Sequence, residues 1–271
     1  MTIRTNDRVL VTGAASGLGL ALTRQLVRRG ARVLATDLAT ERPAALDDAP
    51  SVVYRRLDVR EDDDWETACS WVEEEWRRID LVVNNAGVAA GGRIELTTMD
   101  QWQWVVDINL LGVVRGCRTF TPMLKRQRRG RLVNVASAAG LVHPARMSEY
   151  NTVKAGVVAL SETLRYELQP YGVDVSVVCP SFFRTNLAAS LRGHDPDSRK
   201  SAKRLIEQSG LSADTVAGRV VAGIDSGRHV ILTDRAGRLA YGAKRVVRPL
   251  YDAVMTRESA KMAARQSDPV D

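Results

Sequence analysis

Tyr150 and Lys154 stand four residues apart in the run SEYNTVKAGVVAL, with Ser137 thirteen residues before the tyrosine. If residues 149–169 form a helix, the phenol and the ammonium lie one turn apart on one face. An ammonium beside a phenol favours the phenolate, so Lys154 is expected to draw the Tyr150 pKa below its ordinary value near ~10. A tyrosine tuned in this way exchanges a proton with an alcohol or a carbonyl close to neutral pH. Taken alone, Y-x-x-x-K is a weak signal, because Tyr and Lys often share a solvated helix face. Its weight comes from the segments that precede it.

The elements that must position these side chains begin near the N-terminus, in RVLVTGAASGLGLALTRQLVRRG. Residues 8–12 are a short apolar run, Gly13 to Gly19 a small-residue turn, and Leu18 to Arg29 have helical periodicity. A strand, a glycine turn and a helix start bring backbone N–H groups and the positive helix end to one place, which suits a pyrophosphate. The spacing is T-G-x-x-x-G-x-G (Thr12, Gly13, Gly17, Gly19); position 22 is Leu, so the general G-x-G-x-x-G fingerprint is not met. An ordinary tight turn between strand and helix would look much the same. The next strand, ARVLATD, ends at Asp37, twenty-four residues after Gly13. A carboxylate there can accept hydrogen bonds from adenosine ribose hydroxyls and would repel a 2′-phosphate. Ser16 and Leu38 are neutral, and Arg42 is the basic residue within reach, so the expected cofactor is NAD in preference to NADP.

With these segments in order, the sequence resembles the single-domain short-chain dehydrogenase/reductase family over roughly residues 7–235. The resemblance also rests on Asn84-Asn85-Ala86-Gly87 after the apolar run LVV, on Asn109 in DINLLG, on Ser137 closing LVNVAS, and on Pro180 and Thr185 in VVCPSFFRTNL. It implies a catalytic set of Asn109, Ser137, Tyr150 and Lys154. In that set Asn109 holds a relay water, Ser137 hydrogen-bonds the reacting oxygen, and Lys154 also grips the nicotinamide ribose. It further implies cofactor contacts from Gly13, Ser16, Gly17, Leu18, Gly19, Asp37, Asp58, Val59, Asn85, Ala86, Gly87, Tyr150, Lys154, Pro180 and Thr185, with Asp58 beside the adenine ring. One element departs from the family pattern: Ser181 stands where glycine is usual. Serine lacks the freedom of glycine at positive φ, so a different or strained turn is expected there.

Strand-like runs fall near 8–12, 31–36, 51–57, 79–84, 131–137, 173–179 and 228–232, with the longest helices at about 98–128 and 149–169. Short apolar strands with helical crossovers give an α/β fold, a Rossmann-like doubly wound parallel sheet of about seven strands with helices on both faces. Residues 1–235 are expected to form this catalytic domain, with a substrate lid at about 181–210. Residues 236–271 are expected to form a basic amphipathic C-terminal extension and not a separate domain. The chain has 271 residues, 45% of them hydrophobic, enough for a large core. It contains no apolar run of eighteen residues and no secretory h-region. Cys69, Cys117 and Cys179 lack C-x-x-C spacing, and a cytoplasmic location is expected. Three scattered histidines offer no metal spacing, so no metal site is expected.

Substrate contacts are expected from Ser137, His143, Tyr150, Phe182 and Phe183, the lid offering an apolar side through Phe182, Phe183, Leu187 and Leu191. The reading is therefore NAD(P)-linked interconversion of a secondary alcohol and a ketone or aldehyde, on a lipophilic substrate. Alternatives are an NADPH-dependent carbonyl or acyl-thioester reductase and a non-catalytic NAD-binding scaffold. The resemblance implies a homodimer or homotetramer. Between Arg235 and Arg248 lie basic residues and no acidic ones, with an apolar stripe from Leu239 to Val254. That pattern suits packing over the substrate mouth, a second subunit, or peripheral membrane contact through 235–255. Nucleic acid is not an expected partner, for want of a recognition motif.

Overall fold

The structure, a computed structural model, describes residues 2–185 and 195–264. Seven short strands carry the core: β1 (Arg8–Thr12), β2 (Arg32–Asp37), β3 (Val52–Arg56), β4 (Leu81–Asn84), β5 (Gly130–Val135), β6 (Val173–Cys179) and β7 (Val230–Leu232). Most of their residues are buried on both faces, which is why they read as continuous apolar runs. They pair in parallel in the order β3-β2-β1-β4-β5-β6-β7. The direction of winding reverses between β1 and β4, and a crevice opens outside the carboxyl ends of the strands at such a switch point.

Alternation along each strand feeds two cores. Val9, Val11 and Val33 pack with α1 (Gly17–Arg28) and α8 (Ala213–Asp225) on one face. Leu10, Leu34 and Val82 pack on the other with α2 (Asp62–Trp76), α4 (Gly112–Gln127) and α6 (Ser148–Leu168). Helix α2 is acidic and carries three tryptophans, Trp65, Trp71 and Trp76. Trp65 and Trp76 are buried, and Trp71 meets Trp76 edge to face with ring centroids 5.0 Å apart. These rings anchor the helix to the sheet, and Asp62, Asp63 and Asp64 favour its positive N-terminal end.

The long helix expected at 98–128 is interrupted. It runs as α3 (Met99–Val106), a single π turn Asp107–Leu111, then α4. A π turn inserts one extra residue into a helix and commonly marks a functional position; this one carries Asn109 inward, fully buried. The remaining helices are the short α5 (Ala139–Val142), α7 (Pro196–Glu207), α9 (Arg235–Val246) and α10 (Arg248–Ala264).

Candidate active site

The β1–α1 turn is built so that backbone replaces side chain. Gly13 and Gly17 hold φ of +66° and +53°, where residues with a Cβ are strained. A Cβ on Gly13 would lie 2.8 Å from the Ala86 Cα, and one on Gly19 would overlap the Gly13 carbonyl oxygen. Ser16, in extended conformation, contributes no side-chain hydrogen bond to the start of α1, whose first N–H groups therefore stay open to a ligand. Thr12 ties this turn to the next motif. Its Oγ1 accepts the N–H groups of Asn85 and Ala86 at 3.0 Å each, and Asn85 Nδ2 donates back to the Thr12 carbonyl at 2.8 Å. Beneath it, Asn84 Nδ2 donates to Asn134 Oδ1 at 2.8 Å and Asn134 Nδ2 to Ser161 Oγ at 3.0 Å. A buried polar chain thus runs from the cradle into α6, the helix that bears Tyr150.

Gly19→Ala tests the cradle. The clash is with backbone, so the turn itself must move. We expect a stability loss of about 1–3 kcal/mol and loss of dinucleotide binding by calorimetry. An alanine variant that binds like the wild type would show that close approach is not required here.

Asp37 closes β2 with its carboxylate accepting from Ala15 N at 2.9 Å and Ala39 N at 3.3 Å. Asp58 is gripped by Arg60, whose Nη2 lies 2.6 Å from Oδ2; this hydrogen bond holds the carboxyl below its usual range. Val59 packs under Gly112, and Leu18 is buried in the core beside the turn.

The crevice brings the four catalytic candidates together. Asn109 Oδ1 accepts from Val88 N at 2.8 Å and its Nδ2 donates to Val88 O at 2.9 Å. The Asn109 side chain therefore fastens the segment after Gly87, where a Cβ would lie 2.8 Å from Oδ1. Ser137, just beyond β5, faces Tyr150 closely enough to lower its pKa, while its Oγ donates to the Pro180 carbonyl at 3.4 Å. Its Oγ also accepts from Ala139 N at 3.1 Å. Lys154 Nζ donates to the Val135 carbonyl at 3.0 Å and sits 5.8 Å from the Tyr150 ring centroid.

The electrostatics of this arrangement correct the expectation for Tyr150. Burial pushes the phenol up to about 12, against a smaller lowering by Ser137. Burial likewise pushes the Lys154 ammonium down to about 8. Desolvation dominates in each group, because Tyr150 is 8% and Lys154 3% exposed, and at Lys154 it outweighs an opposing raise from Cys179. Cys179, buried next to Lys154, is a third protonated group at this spot, its thiol raised to about 12 by burial.

On the substrate side the structure redistributes the roles. Pro180 presents its carbonyl to Ala138 N at 2.8 Å, and Thr185 Oγ1 lies against Gly17, 2.6 Å from where a Cβ would stand. Ser181 is not among the positive-φ residues, so the turn needs no glycine and carries no such strain. Its Oγ instead fills the space left by Gly237, where a Cβ would lie 2.8 Å away. Phe183 belongs to the core with α1 and α8 and does not line the crevice, while Phe182 is 39% exposed. Leu187 and Leu191 lie outside the described residues. His143 takes a left-handed conformation with both ring nitrogens engaged, Nε2 with Gly140 O at 3.1 Å and Nδ1 with Lys244 Nζ at 2.7 Å. It therefore anchors the C-terminal helices and has no free nitrogen for a substrate.

Sequence reasoning missed a buried ion pair that fastens α7. Asp195 Oδ2 accepts from Arg93 N at 3.0 Å and Arg93 Nε at 3.1 Å, and its Oδ1 caps Asp197 N and Ser198 N. Burial opposes ionisation of this carboxyl, but those hydrogen bonds prevail and hold it down to about 2. The D-P-D spelling of an N-cap before proline was the available signal for Asp195.

The glycine cradle, the uncapped start of α1, and a carboxylate at the end of β2 together fit a pyrophosphate-linked dinucleotide. The comparisons agree. The family model described as short chain dehydrogenase matches residues 7–196. A "CLA biosynthesis dehydrogenase/reductase" of Lactiplantibacillus plantarum is 32% identical, covering 84% of this chain and 88% of its own length. The mitochondrial D-beta-hydroxybutyrate dehydrogenase of Rattus norvegicus is 39% identical over 65% of this chain and 54% of its own. Among solved structures, a short-chain dehydrogenase/reductase of Burkholderia phymatum in complex with NAD superposes with a TM-score of 0.80 at 27% identity, over 100% of this chain and 99% of the other. Sheet order, glycine cradle and the Ser137–Tyr150–Lys154 cluster thus coincide with the family match: the chain is an oxidoreductase of the short-chain dehydrogenase/reductase family.

Proposed function

We propose that the protein interconverts a secondary alcohol and a ketone or aldehyde, with Tyr150 as the acid/base, NAD as the preferred cofactor and a lipophilic substrate. The observation that carries this reading is Tyr150 facing Ser137, with Lys154 buried beneath, beside the cradle between Gly13 and Gly19. Gly13, Ser16, Gly17, Leu18 and Gly19 would hold the pyrophosphate, Asp37 the adenosine ribose, Asp58 and Val59 the adenine, and Asn85, Ala86 and Gly87 the face of the dinucleotide. Pro180 and Thr185 would meet the carboxamide. The bound nicotinamide supplies the hydride donor or acceptor. Ser137 orients the substrate oxygen, and Tyr150 gives or takes its proton. Asn109 commits its amide to Val88, so a relay water would rest on the remaining lone pair of its Oδ1. Phe182 offers the apolar contact for substrate.

Burial keeps Tyr150 protonated at neutral pH, which favours the reductive direction there. In reduction the neutral phenol is ready to donate; in oxidation it must first ionise. Oxidation is therefore expected to accelerate with rising pH more steeply than reduction.

The NAD preference rests on Asp37 and on Arg42. The Arg42 guanidinium is engaged by the carbonyls of Val52 (3.0 Å), Ala49 (3.1 Å) and Leu46, so it is not available to a 2′-phosphate. The test is turnover of a panel of lipophilic secondary alcohols and their ketones, with each cofactor, by the wild type and Asp37→Ser. Wild type should use NAD(H) at least ~10-fold better, the price of one misplaced charge, and the variant should narrow that gap. Faster turnover with NADPH would overturn the preference, and cofactor binding without turnover of any substrate would favour a scaffold. Exposed Leu111 and Tyr166, on the π turn and α6, suit the homodimer or homotetramer that this reading includes.

A further inference from the structure

The C-terminal helices expose more large aliphatic surface than any other part of the described chain, and they do so in a pattern. Along α9, Arg235, Leu239, Gly242 and Val246 recur at helical spacing on one face, with Leu239 62% and Val246 83% exposed. Along α10, Leu250, Val254, Arg257 and Lys261 repeat that spacing, with Leu250 65% and Val254 52% exposed. On these two faces the aliphatic residues lie toward the shared bend and Arg235, Arg257 and Lys261 toward the far ends, while Lys244, Arg245 and Arg248 cluster at the bend itself.

The opposite faces of these helices are engaged with a single segment of the site. Lys244 Nζ donates to the Leu141 carbonyl at 2.6 Å, and the Tyr251 hydroxyl donates to the Val142 carbonyl. Arg146 Nη2 donates to the Met262 carbonyl at 3.0 Å. The outward faces therefore turn away from residues 141–146, the stretch that leads from Ser137 to Tyr150.

We propose that these outward faces of α9 and α10 dock on an anionic phospholipid surface, holding the rim of the catalytic crevice against the lipid. No helix among the described residues is long and apolar enough to cross a membrane, so this contact is peripheral. Charge selects the occupant. Of the seven arginines and lysines on α9 and α10, Lys244 turns inward, Arg248 pairs with Asp252 and Lys261 with Glu258; Arg235, Arg238, Arg245 and Arg257 remain beyond those pairs, so two copies of this face would repel each other, whereas anionic headgroups complement it. The aliphatic side chains at the bend enter the headgroup boundary while the arginine stems snorkel. Lipid docking goes beyond the proposed reaction and depends on it only for what is delivered to the crevice.

The test is flotation of the full chain with vesicles of phosphatidylglycerol and phosphatidylcholine, or of phosphatidylcholine alone, at low and high salt. Wild type should float with the anionic vesicles, at least ~10-fold less with phosphatidylcholine, and less as salt rises. Arg235→Glu with Arg238→Glu should lower flotation roughly tenfold or more while supporting the start of α9, where acidic residues are favourable. Val246→Asp should lower it independently. Equal flotation on both vesicle types, or none, overturns the proposal. So does a wild-type oligomer that Val246→Asp splits, because the face would then be covered by a second copy. Flotation is read without turnover, so its failure and the failure of the proposed reaction are separable.

Discussion

Tyr150→Phe should lower kcat by roughly two to four orders of magnitude, the range that positioned proton transfer contributes, while leaving dinucleotide affinity in place. The argument runs from the site upward. The hydroxyl is the one polar atom of a side chain that is otherwise packed, and it reaches Ser137. Removing it keeps the ring, its rotamer and its place on α6, and costs about 1 kcal/mol of stability for the lost polar contact with Ser137. No cradle residue changes. The measurement is single-turnover hydride transfer with binding followed separately by calorimetry. Appreciable turnover in the variant would remove Tyr150 from the chemistry; loss of dinucleotide binding would recast it as a structural residue.

The parts of this fold that were legible are those where local pattern and tertiary role coincide. β1, β4 and β5 are buried on both faces, so their apolar runs announced them. Gly13 and Gly17 were legible because positive φ admits few residues besides glycine. The rest depends on groups far apart in the chain. The π turn at Asp107–Leu111 leaves the apolar pattern of DINLLG undisturbed, so nothing marked the extra residue. Phe182 and Phe183 are identical neighbours, and only the packing of α1 and α8 decides that Phe183 goes inward. Ser181 needed no glycine because its φ is not positive, and Gly237, fifty-six residues on, yields the space for its Oγ. His143 is claimed by Lys244, a hundred and one residues away. The inverted shifts of Tyr150 and Lys154 follow from burial, which the Y-x-x-x-K spacing does not report.

That burial makes Lys154→Met the sharpest test of how the site is built. The variant should lose roughly two orders of magnitude in kcat, in keeping with the loss of a group that acts on the proton-transfer step, and yet gain stability at neutral pH. The reason is the folded-state pKa of Lys154, lowered by burial from 10.5 to about 8. Below pH 8 the lysine is protonated in both the folded and unfolded chain, and folding carries the full cost of burying the charge, on the order of 3 kcal/mol. Between pH 8 and 10.5 the folded chain releases this proton while the unfolded chain keeps it, so wild-type stability rises with pH through that window. Methionine carries no charge and is indifferent to it. The variant should therefore melt roughly 5 °C above the wild type near pH 7, less whatever is lost with the hydrogen bond to Val135 O. That advantage should shrink steadily toward pH 10. Tyr150 acts in the opposite sense and higher up: its raised pKa withdraws stability as pH climbs from 10 toward 12, in both proteins alike. Thermal melts of the two proteins without cofactor, from pH 7 to 10, read the difference directly. A gap that stays constant or widens with pH would mean that Lys154 is not buried as an ammonium, and that the tyrosine beside it is tuned by something else.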